Sequence, residues 1–378
     1  MLALADACIY TPEEIIRGNI LIADGKVKAV GDIKIPKEAK TVQLNGKLVV
    51  PGFIDVHTHG CGGYDCMDGK SSLEEITAIL PRFGVTAFFP TGVASPHKEL
   101  LAFLQDIREA KSKGAKILGA HLESPYISMD KRGAQPPEAI RPVDMGEIEE
   151  LIEAGVKIFT IAPEVEGAIE AIRRLKQAGV VVSLGHSSAG WEEALMGVNA
   201  GISKATHLFN AMPPLLHRQP GCVGVALSDD RVACEVIADF VHLHPLIVKL
   251  IVKTKGSDKV LLITDSAPFS GLPDGEYEWL GGRVIVKKEG RIFFKDAPDV
   301  LAGSCLTLDQ AVRNVHSLGF NLKDVLKMVT LNPARETNHP ELGMIRVGNP
   351  ADLVVLDASL QVEMTLIDGE IVYEKVDH

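Results

Sequence analysis

The chain has 378 residues, of which 46% are hydrophobic, and this length accommodates one large α/β domain with a smaller module beside it. Its formal net charge is −11 and it has no basic stripe, so we expect neither nucleic acid nor an anionic membrane as a partner. The six cysteines are scattered, the first segment lacks a basic region, and no apolar run approaches the roughly 18 residues of a membrane helix, which together predict a cytoplasmic protein without a signal peptide.

Both ends of the chain have the pattern of β-structure. The first part places apolar runs around Asp24-Gly25 and Asn45-Gly46, and the last part does the same around Asp368-Gly369. Dipeptides of this kind between strand-like runs are the strongest short signal for a β-hairpin. We therefore predict a small β-sandwich domain built from both chain ends, with a central domain inserted between them. The predicted boundaries are residues 1–50, 51–343 and 344–378.

The central region repeats one unit, in which a helical stretch ends in glycine and a short apolar strand follows. Glycine after the last helical turn accepts the left-handed backbone that stops a helix. Strands rich in Val and Ile that alternate with helices are typical of a covered parallel sheet, and eight of them predict an α/β fold with a TIM-like (β/α)8 barrel. A hairpin insertion is expected after the eighth strand, over residues 269–302. The eight strand segments are GFIDVHTHG, VTAFFPTG, AKILGAHLES, VKIFTIAPE, VVVSLGHSS, ISKATHLFN, ACEVIADFVH and KVLLITDSAP.

Side chains that can bind a metal stand at the carboxyl ends of five of these strands. His57 and His59 are two residues apart in an extended strand, so their side chains point the same way. The active site of such a barrel lies at this end of the strands. A single histidine there is more commonly hydrogen-bonded than metal-bound. Four imidazoles and two carboxylates together predict a site for one or two divalent metal ions, with zinc or iron favoured over magnesium. The predicted ligands are His57, His59, Glu123, His186, His207 and Asp265.

Several motifs resemble those of a known family. The segment PGFIDVHTHG, the strand-end histidines and ITDS are similar to the amidohydrolase superfamily of metal-dependent barrel hydrolases. The narrower motifs GAHLESPYISMDKRGAQPP, GHSSA, THLFNAMPPLLHRQPG, IADFVHLHP, LAGSCLTLDQAVRN and TLNPAR resemble its N-acetylglucosamine-6-phosphate deacetylases, over nearly the whole chain. The resemblance implies metal-dependent hydrolysis of N-acetylglucosamine-6-phosphate to glucosamine-6-phosphate and acetate in amino sugar metabolism. It also implies a homodimer, and it adds cobalt and manganese to zinc and iron as metals that suit the site.

The resemblance further implies a role for each site residue. It assigns one ion to Glu123, His186 and His207, and a second ion to the first-strand histidine pair with Glu123 as the bridge. It assigns proton transfer to Asp265, as base and then as acid. The phosphate is expected to face Arg218 and the main-chain amides at positions 210 and 211. The implied substrate contacts are Ala134, Gln135, Asn210, Ala211, Arg218, His242, Leu301, Ala302 and Gly303.

Three positions depart from the pattern of the resembled family. Ser124 and Phe240 stand where glycine is common, and Gln135 stands where some members have histidine. None of the three is a predicted metal ligand, so the departures concern the shape of the substrate pocket and, at Gln135, the contact to the sugar amide.

Two other functions are compatible with the sequence. One is a related hydrolase that acts on an unphosphorylated amide or a cyclic ureide. Cyclic-amide hydrolases of the superfamily usually bridge their metals with a carboxylated lysine on strand 4, where this chain has only Lys157, at the beginning of the strand. The other is a non-catalytic barrel that serves as a scaffold. Such a protein is expected to have lost metal ligands, and this chain keeps all six.

Overall fold

A barrel of eight parallel strands forms the centre of the protein, whose computed structural model describes residues 1–376. Each strand pairs in parallel with the one that follows it around the barrel. The predicted α/β class and (β/α)8 barrel are confirmed. The barrel strands are Phe53–Thr58, Val85–Gly92, Ala120–Glu123, Val156–Ile161, Val181–Leu184, Ile202–Ala205, Ala233–Ile237 and Val260–Ile263.

The first and eighth barrel strands meet through side chains as well as backbone. The Asp265 N–H donates to the His57 carbonyl at 2.9 Å, one residue before a single parallel bridge between Thr58 and Ser266. Below this point the Asp55 carboxylate accepts from the Thr264 hydroxyl at 2.6 Å and from the Thr264 N–H at 3.3 Å. The buried Asp55 carboxylate therefore supplies hydrogen bonds at this seam that a regular ladder would otherwise make.

Most helices pack around the outside of the barrel and bury one face. Ala168–Gln177 shows the reason, because its buried side chains at 168, 171, 172 and 175 recur with helical spacing. A short edge strand, Lys116–Ile117, pairs with the second barrel strand. The α-helices are Lys70–Ile79, His97–Glu109, Met145–Glu153, Ala168–Gln177, Trp191–Ala200, Gly221–Ser228, Pro245–Lys255, Leu308–Ser317, Leu322–Lys327 and Leu331–Glu336. The short 3-10 helices are Leu80–Phe83, Met129–Lys131, Pro137–Ala139 and Ser257–Lys259.

The two chain ends join in a small β-sandwich domain. Its first strand, Leu2–Tyr10, changes partner along its length, pairing in parallel first with Lys40–Gln43 and then with Leu48–Pro51. An irregularity that includes Asp6, with φ of 54°, separates the two halves. Leu353–Leu356 pairs with Leu48–Pro51, so residues from both ends share one apolar core. The remaining strands of the domain are Ile15–Ala23, Lys26–Gly31, Val362–Ile367 and Glu370–Glu374.

Two of the three predicted hairpins are present. Asp24-Gly25 and Asp368-Gly369 each connect antiparallel strands with both turn residues at positive φ. The hairpin prediction at Asn45-Gly46 is wrong, although the turn itself is there. The strands on its two sides both run parallel to Leu2–Tyr10. The reason is that main-chain N–H groups in and beside this turn donate to carbonyls at residues 5 and 6 of that strand.

The insertion after the eighth barrel strand is larger than the predicted hairpin. It forms a four-stranded antiparallel sheet with its own small apolar core, which includes Ile285 and Phe294. Trp279 from this sheet lies beside the barrel mouth, with its ring 6.2 Å from that of His59 and its indole N–H donating to Asp65. Among the described residues no helix is both long and apolar enough to cross a membrane. The strands of the insertion are Gly275–Trp279, Arg283–Lys288, Arg291–Phe294 and Ala297–Leu301.

Candidate metal centre and active site

The predicted metal ligands converge at the carboxyl end of the barrel strands, with Glu123 at the centre. Glu123 Oε1 lies 3.0 Å from His207 Nε2, 3.1 Å from His186 Nε2 and 3.5 Å from His57 Nε2. Glu123 Oε2 lies 3.4 Å from His59 Nε2. Burial alone would raise the pKa of the Glu123 carboxyl, but the His186 and His57 imidazoles outweigh burial and hold that pKa well below its usual range. Glu123 is therefore ionised and surrounded by imidazoles.

Asp265 completes the group on a more open side. Its Oδ1 lies 3.4 Å from His57 Nε2 and 3.3 Å from His59 Nε2. Its side chain is 11% exposed, whereas that of Glu123 is 3% exposed. Burial opposes ionisation of Asp265, but the neighbouring histidines, His57 first, lower the pKa of this carboxyl below its usual value. All six predicted ligands are thus brought together, and Asp265 is the carboxylate with access to solvent.

Three of these residues owe their position to an uncommon backbone conformation. His186, His207 and Asp265 each lie two residues beyond the end of a barrel strand, with φ of 47°, 29° and 47°. Few residues other than glycine adopt positive φ, and such strain is concentrated at functional sites. The chain therefore leaves each strand by a sharp turn that places a predicted metal ligand at the barrel mouth.

Main-chain hydrogen bonds fix the ring orientation of two of the histidines. His59 Nδ1 donates to the Thr91 carbonyl at 3.1 Å, and His186 Nδ1 donates to the Lys131 carbonyl at 2.9 Å. A carbonyl oxygen can only accept, so the proton of each neutral ring is on Nδ1. The lone pair of each Nε2 therefore faces the centre of the site.

The spacing of the ligand atoms fits divalent metal ions. The Nε2 atoms of His186 and His207 are 3.1 Å apart, and those of His57 and His59 are 3.3 Å apart. The Nδ1 atoms of His57 and His59 both donate, so in this pair the two Nε2 lone pairs face each other and cannot form a hydrogen bond. A tetrahedral ion with bonds of about 2.0–2.1 Å holds its ligand atoms about 3.3 Å apart. Each histidine pair thus has the separation that one ion requires, with a Glu123 oxygen beside it as a third donor.

The family of the protein follows from comparison with known proteins, since residues 48–372 match the amidohydrolase family. The chain belongs to the amidohydrolase family. It is 37% identical to an N-acetylglucosamine-6-phosphate deacetylase of Bacillus subtilis, over 98% of this chain and 97% of the relative. It is 36% identical to an N-acetylgalactosamine-6-phosphate deacetylase of Escherichia coli O157:H7, over 93% and 94%.

Solved structures of similar amidohydrolases cover the whole fold. The N-acetylglucosamine-6-phosphate deacetylase of Pasteurella multocida superposes with a TM-score of 0.93 at 29% identity, over 98% of this chain and 99% of that one. A mutant deacetylase of Mycobacterium smegmatis in complex with N-acetyl-D-glucosamine-6-phosphate gives a TM-score of 0.92 at 35% identity, over 98% and 99%. The family is metal-dependent, and this amidohydrolase has the histidine and glutamate clusters that such a centre needs.

A buried ion pair that the sequence analysis does not predict lies next to the predicted metal ligands. Lys204 and Glu235 are fully buried inside the barrel, 2.5 Å apart between Nζ and Oε1. Glu235 Oε2 accepts from His57 Nδ1 at 3.1 Å. His121 lies nearby, with its ring centroid 4.7 Å from that of His57 and its Nε2 2.8 Å from Thr160 Oγ1. The signal was present, because Lys204 and Glu235 are charged residues within otherwise apolar strands, where charges are rare unless they are paired.

Gln135 forms a hydrogen bond with Glu123, a predicted metal ligand, in this amidohydrolase. Its Nε2 donates to Glu123 Oε2 at 2.5 Å, and its Oε1 accepts from the Ala94 N–H at 2.7 Å. Both polar ends of the buried side chain are therefore engaged. Its neighbour Ala134 packs against the apolar core of the insertion. Ser124 is buried too, and its hydroxyl accepts from the Tyr126 N–H at 3.2 Å.

Five further predicted substrate residues lie close to the ligand-bearing loops. Ala211, at φ of 54°, follows the His207 turn, and the Asn210 side chain donates to the His207 carbonyl at 3.2 Å. The Gly303 position is so close to the Asp265 carbonyl that an added Cβ would lie 3.0 Å from its oxygen. The buried Ala302 precedes it and donates to the Ile292 carbonyl at 3.0 Å. The half-buried Leu301 ends the last strand of the insertion.

The remaining two predicted substrate residues, His242 and Arg218, differ in burial. His242 is mostly buried, and its Nδ1 and main-chain N–H both contact the Asp239 carboxylate, at 2.6 Å and 2.8 Å. Arg218 is exposed, and its Nη1 contacts His217 Nε2 at 2.6 Å rather than a residue of the site. Phe240 has φ of 64°, a conformation that explains why glycine would suit that position.

Proposed function

We propose that the protein hydrolyses the N-acetyl amide of N-acetylglucosamine-6-phosphate to glucosamine-6-phosphate and acetate. The observation that carries this proposal is the convergence of four imidazoles and two carboxylates at the barrel mouth. The full-length similarity to amidohydrolases of that name supports it. Lys157 lies exposed at the start of its strand, so the carboxylated-lysine bridge of cyclic-amide hydrolases has no counterpart there.

We assign one or two divalent ions per chain to the site. Glu123, His186 and His207 are the proposed ligands of one ion, and His57 and His59 share Glu123 to hold the other. Imidazole and carboxylate donors suit zinc or iron, and also cobalt or manganese. Such an ion, when bound, supplies Lewis acidity toward water and the amide carbonyl.

Asp265 is the proposed proton carrier. As an ionised carboxylate at the open side of the ligand group, it can accept the proton of the attacking water. It then returns that proton to the departing nitrogen, which makes the amine a better leaving group. Glu123 cannot take this role, because its oxygens already contact histidines and the Gln135 amide.

The substrate is proposed to bind between the ligand-bearing loops and the end of the insertion. His242, whose ring is held by Asp239, is proposed to contact the sugar. The main-chain amides of Asn210 and Ala211, with the Arg218 guanidinium, are the proposed phosphate donors. The Asn210 N–H donates to the His207 carbonyl at 3.0 Å, so it would have to share its hydrogen with the phosphate. The other proposed contacts are Ala134, Gln135, Leu301, Ala302 and Gly303.

We further propose a homodimer in which Arg218 reaches the substrate of the partner subunit. The exposure of Arg218 and the adjacent exposed Leu215 and Leu216 support an interface at this loop. We also propose a cytoplasmic location, since all six cysteines are free, as a reducing compartment would keep them.

Metal analysis combined with acetate release tests the proposed function. The substrates to compare are N-acetylglucosamine-6-phosphate, its galactosamine isomer and unphosphorylated N-acetylglucosamine. We expect acetate from the 6-phosphate at a kcat/KM far above that for the free sugar, and activity that is lost with a chelator and restored by zinc. Equal turnover of the free sugar would favour a hydrolase of unphosphorylated amides. A metal-loaded protein that releases no acetate from any of the three would refute the proposal.

A further inference from the structure

Nδ1 of His57, the ring nitrogen that faces away from the centre of the site, has a different kind of hydrogen-bond partner from Nδ1 of His59 and of His186. The latter two donate to main-chain carbonyls. His57 donates instead to the side-chain carboxylate of Glu235, at 3.1 Å from Nδ1 to Oε2. His207 Nδ1 is buried without a partner. The orientation of His57 is therefore the one in this group that depends on a side chain.

Glu235 is held rigidly in a place where a charge is costly. Both Glu235 and Lys204 have no exposed side-chain surface. An unpaired carboxylate there would lose its hydration without compensation. Lys204 Nζ approaches Oε1 at 2.5 Å, which leaves Oε2 to accept from His57. The lysine thus compensates the charge, and the second oxygen of the carboxylate fixes the imidazole.

We infer that Glu235, compensated by Lys204, is a positioning residue that orients His57 as a metal ligand. This inference rests on the metal centre of the proposed function and concerns the ion held by His57 and His59. A carboxylate that accepts the outer N–H of a ligand histidine fixes the tautomer and the ring direction, and its loss typically costs about 10–100-fold in metal affinity. The ion on Glu123, His186 and His207 is not expected to depend on it.

The other half of the site is expected to stay in place when the Glu235 side chain changes. Glu235 Oε2 also lies 3.2 Å from the His207 N–H. The next amide, Leu208 N–H, donates to the main-chain carbonyl of Glu235 at 3.0 Å, and no side-chain substitution removes that bond. A substitution at Glu235 is thus expected to act mainly through His57.

Zinc binding to the apoprotein tests the inference, measured by competition with a chromophoric chelator. Glu235→Asp keeps the charge that Lys204 needs but withdraws the carboxylate by one methylene. We expect it to weaken one zinc site about 10–100-fold and to leave the other unchanged. The zinc that remains tightly bound should equal that of the His57→Ala/His59→Ala variant. Glu147→Asp is the matched control, because Glu147 is also ion-paired but contacts Arg141 and Tyr126.

A second variant removes the ion pair without leaving a charge behind. Lys204→Met/Glu235→Leu replaces the pair by apolar side chains of similar size, an exchange that buried ion pairs often tolerate. It should bind zinc like Glu235→Asp or more weakly at the same site. Wild-type zinc affinity in either folded variant, or equal weakening of both sites, would overturn the inference. Because this readout needs no substrate, a wild-type protein that binds zinc but releases no acetate would refute the proposed function alone.

Discussion

Glu123 and Asp265 carry the same charge but face different surroundings. Glu123 contacts all four imidazoles and receives a hydrogen bond from Gln135. Asp265 contacts only the first-strand pair, from a side chain that is 11% exposed. A group that exchanges a proton with substrate needs a free lone pair and room beside it, and Asp265 alone of the two has both. The difference in surroundings therefore supports Asp265, and not Glu123, as the proposed proton carrier.

We predict that Asp265→Asn binds metal nearly as well as the wild type yet loses most of its kcat. The amide has almost the same shape, and its oxygen still faces the first-strand histidines, but it cannot accept a proton and return it. General acid–base catalysis typically contributes about 10²–10⁴-fold. Metal content and acetate release from N-acetylglucosamine-6-phosphate check this. A variant that keeps more than a tenth of the wild-type kcat would exclude the proton-transfer role.

At the scale of the elements, the residues at the ends of the barrel strands were the easiest part of the site to predict from the sequence. Metal ligands at the carboxyl ends of parallel strands meet at one edge whatever the details of packing, so the sequence sufficed to predict their convergence. All six lie together, although their individual roles stay predictions. The resemblance to the deacetylases indicated which substrate to expect, and the positions of the strands alone could not have done so.

The charged residues in the strand interiors were harder to predict. Asp55, Lys204 and Glu235 each stand in an apolar strand, and the sequence signals only that such a charge requires a partner. Which partner it finds depends on the register between strands, such as the one that pairs Lys204 with Ala233, two residues before Glu235. The hairpin at Asn45-Gly46 failed for a similar reason, since distant pairing with Leu2–Tyr10 outweighed the local turn signal.

We predict that Thr264→Val weakens the seam between the first and eighth strands. Valine keeps the β-branched shape but removes the hydroxyl that donates to Asp55 at 2.6 Å. Since the acceptor is a buried carboxylate, the free energy of unfolding should fall by about 1–3 kcal/mol. Because Asp265 follows directly in the chain, kcat should fall as well.

Denaturant unfolding of this variant and of Thr41→Val measures the effect of the seam. Thr41 lies exposed in the β-sandwich domain, and its hydroxyl donates only to the nearby Ala39 carbonyl. Its replacement should change the free energy of unfolding by less than about 0.5 kcal/mol. Similar losses in both variants would mean that the Asp55–Thr264 bond adds nothing specific to barrel closure.

At the scale of the whole molecule, one lysine connects the barrel to the β-sandwich domain. Lys116, on the short barrel edge strand, contacts the buried Asp352 at 2.8 Å and 2.9 Å and the exposed Asp368 at 2.8 Å. Asp352 also accepts from the Asp368 N–H at 2.9 Å. The bridge thus joins segments more than two hundred residues apart in the chain, and it lies at the opposite end of the barrel strands from the metal ligands.

We predict that Lys116→Met destabilises the protein by about 2–4 kcal/mol and leaves kcat unchanged at low temperature. The substitution leaves Asp352 buried without its counter-ion. The expected loss in the free energy of unfolding is somewhat smaller than for a fully buried ion pair, because Lys116 is 25% exposed. Lys28→Met changes the net charge equally, but its partner Asp24 is 86% exposed, so almost no loss is expected there. Equal denaturation midpoints for the two variants would argue against the bridge.

The net charge also determines how the protein can bind a phosphorylated sugar. A chain with a net charge of −11 repels a phosphate at long range, so affinity must come from a few donors fixed close to it. Arg218 is the proposed side-chain donor, in a loop that directly follows the His207 turn. It is exposed, and among the described residues its side chain forms a hydrogen bond only with His217, which suits a group that completes the site of another subunit.

We predict that Arg218→Ala lowers kcat/KM for N-acetylglucosamine-6-phosphate by about one to two decades, the equivalent of the roughly 1.5–3 kcal/mol that a hydrogen bond to a charged partner contributes. The slow turnover of the unphosphorylated sugar should hardly change. An equal loss for both substrates would mean that Arg218 only braces its loop.

Mixing this variant with Asp265→Asn decides which subunit the arginine serves. If it reaches across the dimer, a heterodimer combines an intact Asp265 in one subunit with an intact Arg218 from the other, and activity returns as subunits exchange. If Arg218 serves its own subunit, no site in the heterodimer is complete and the mixture stays as inactive as its components.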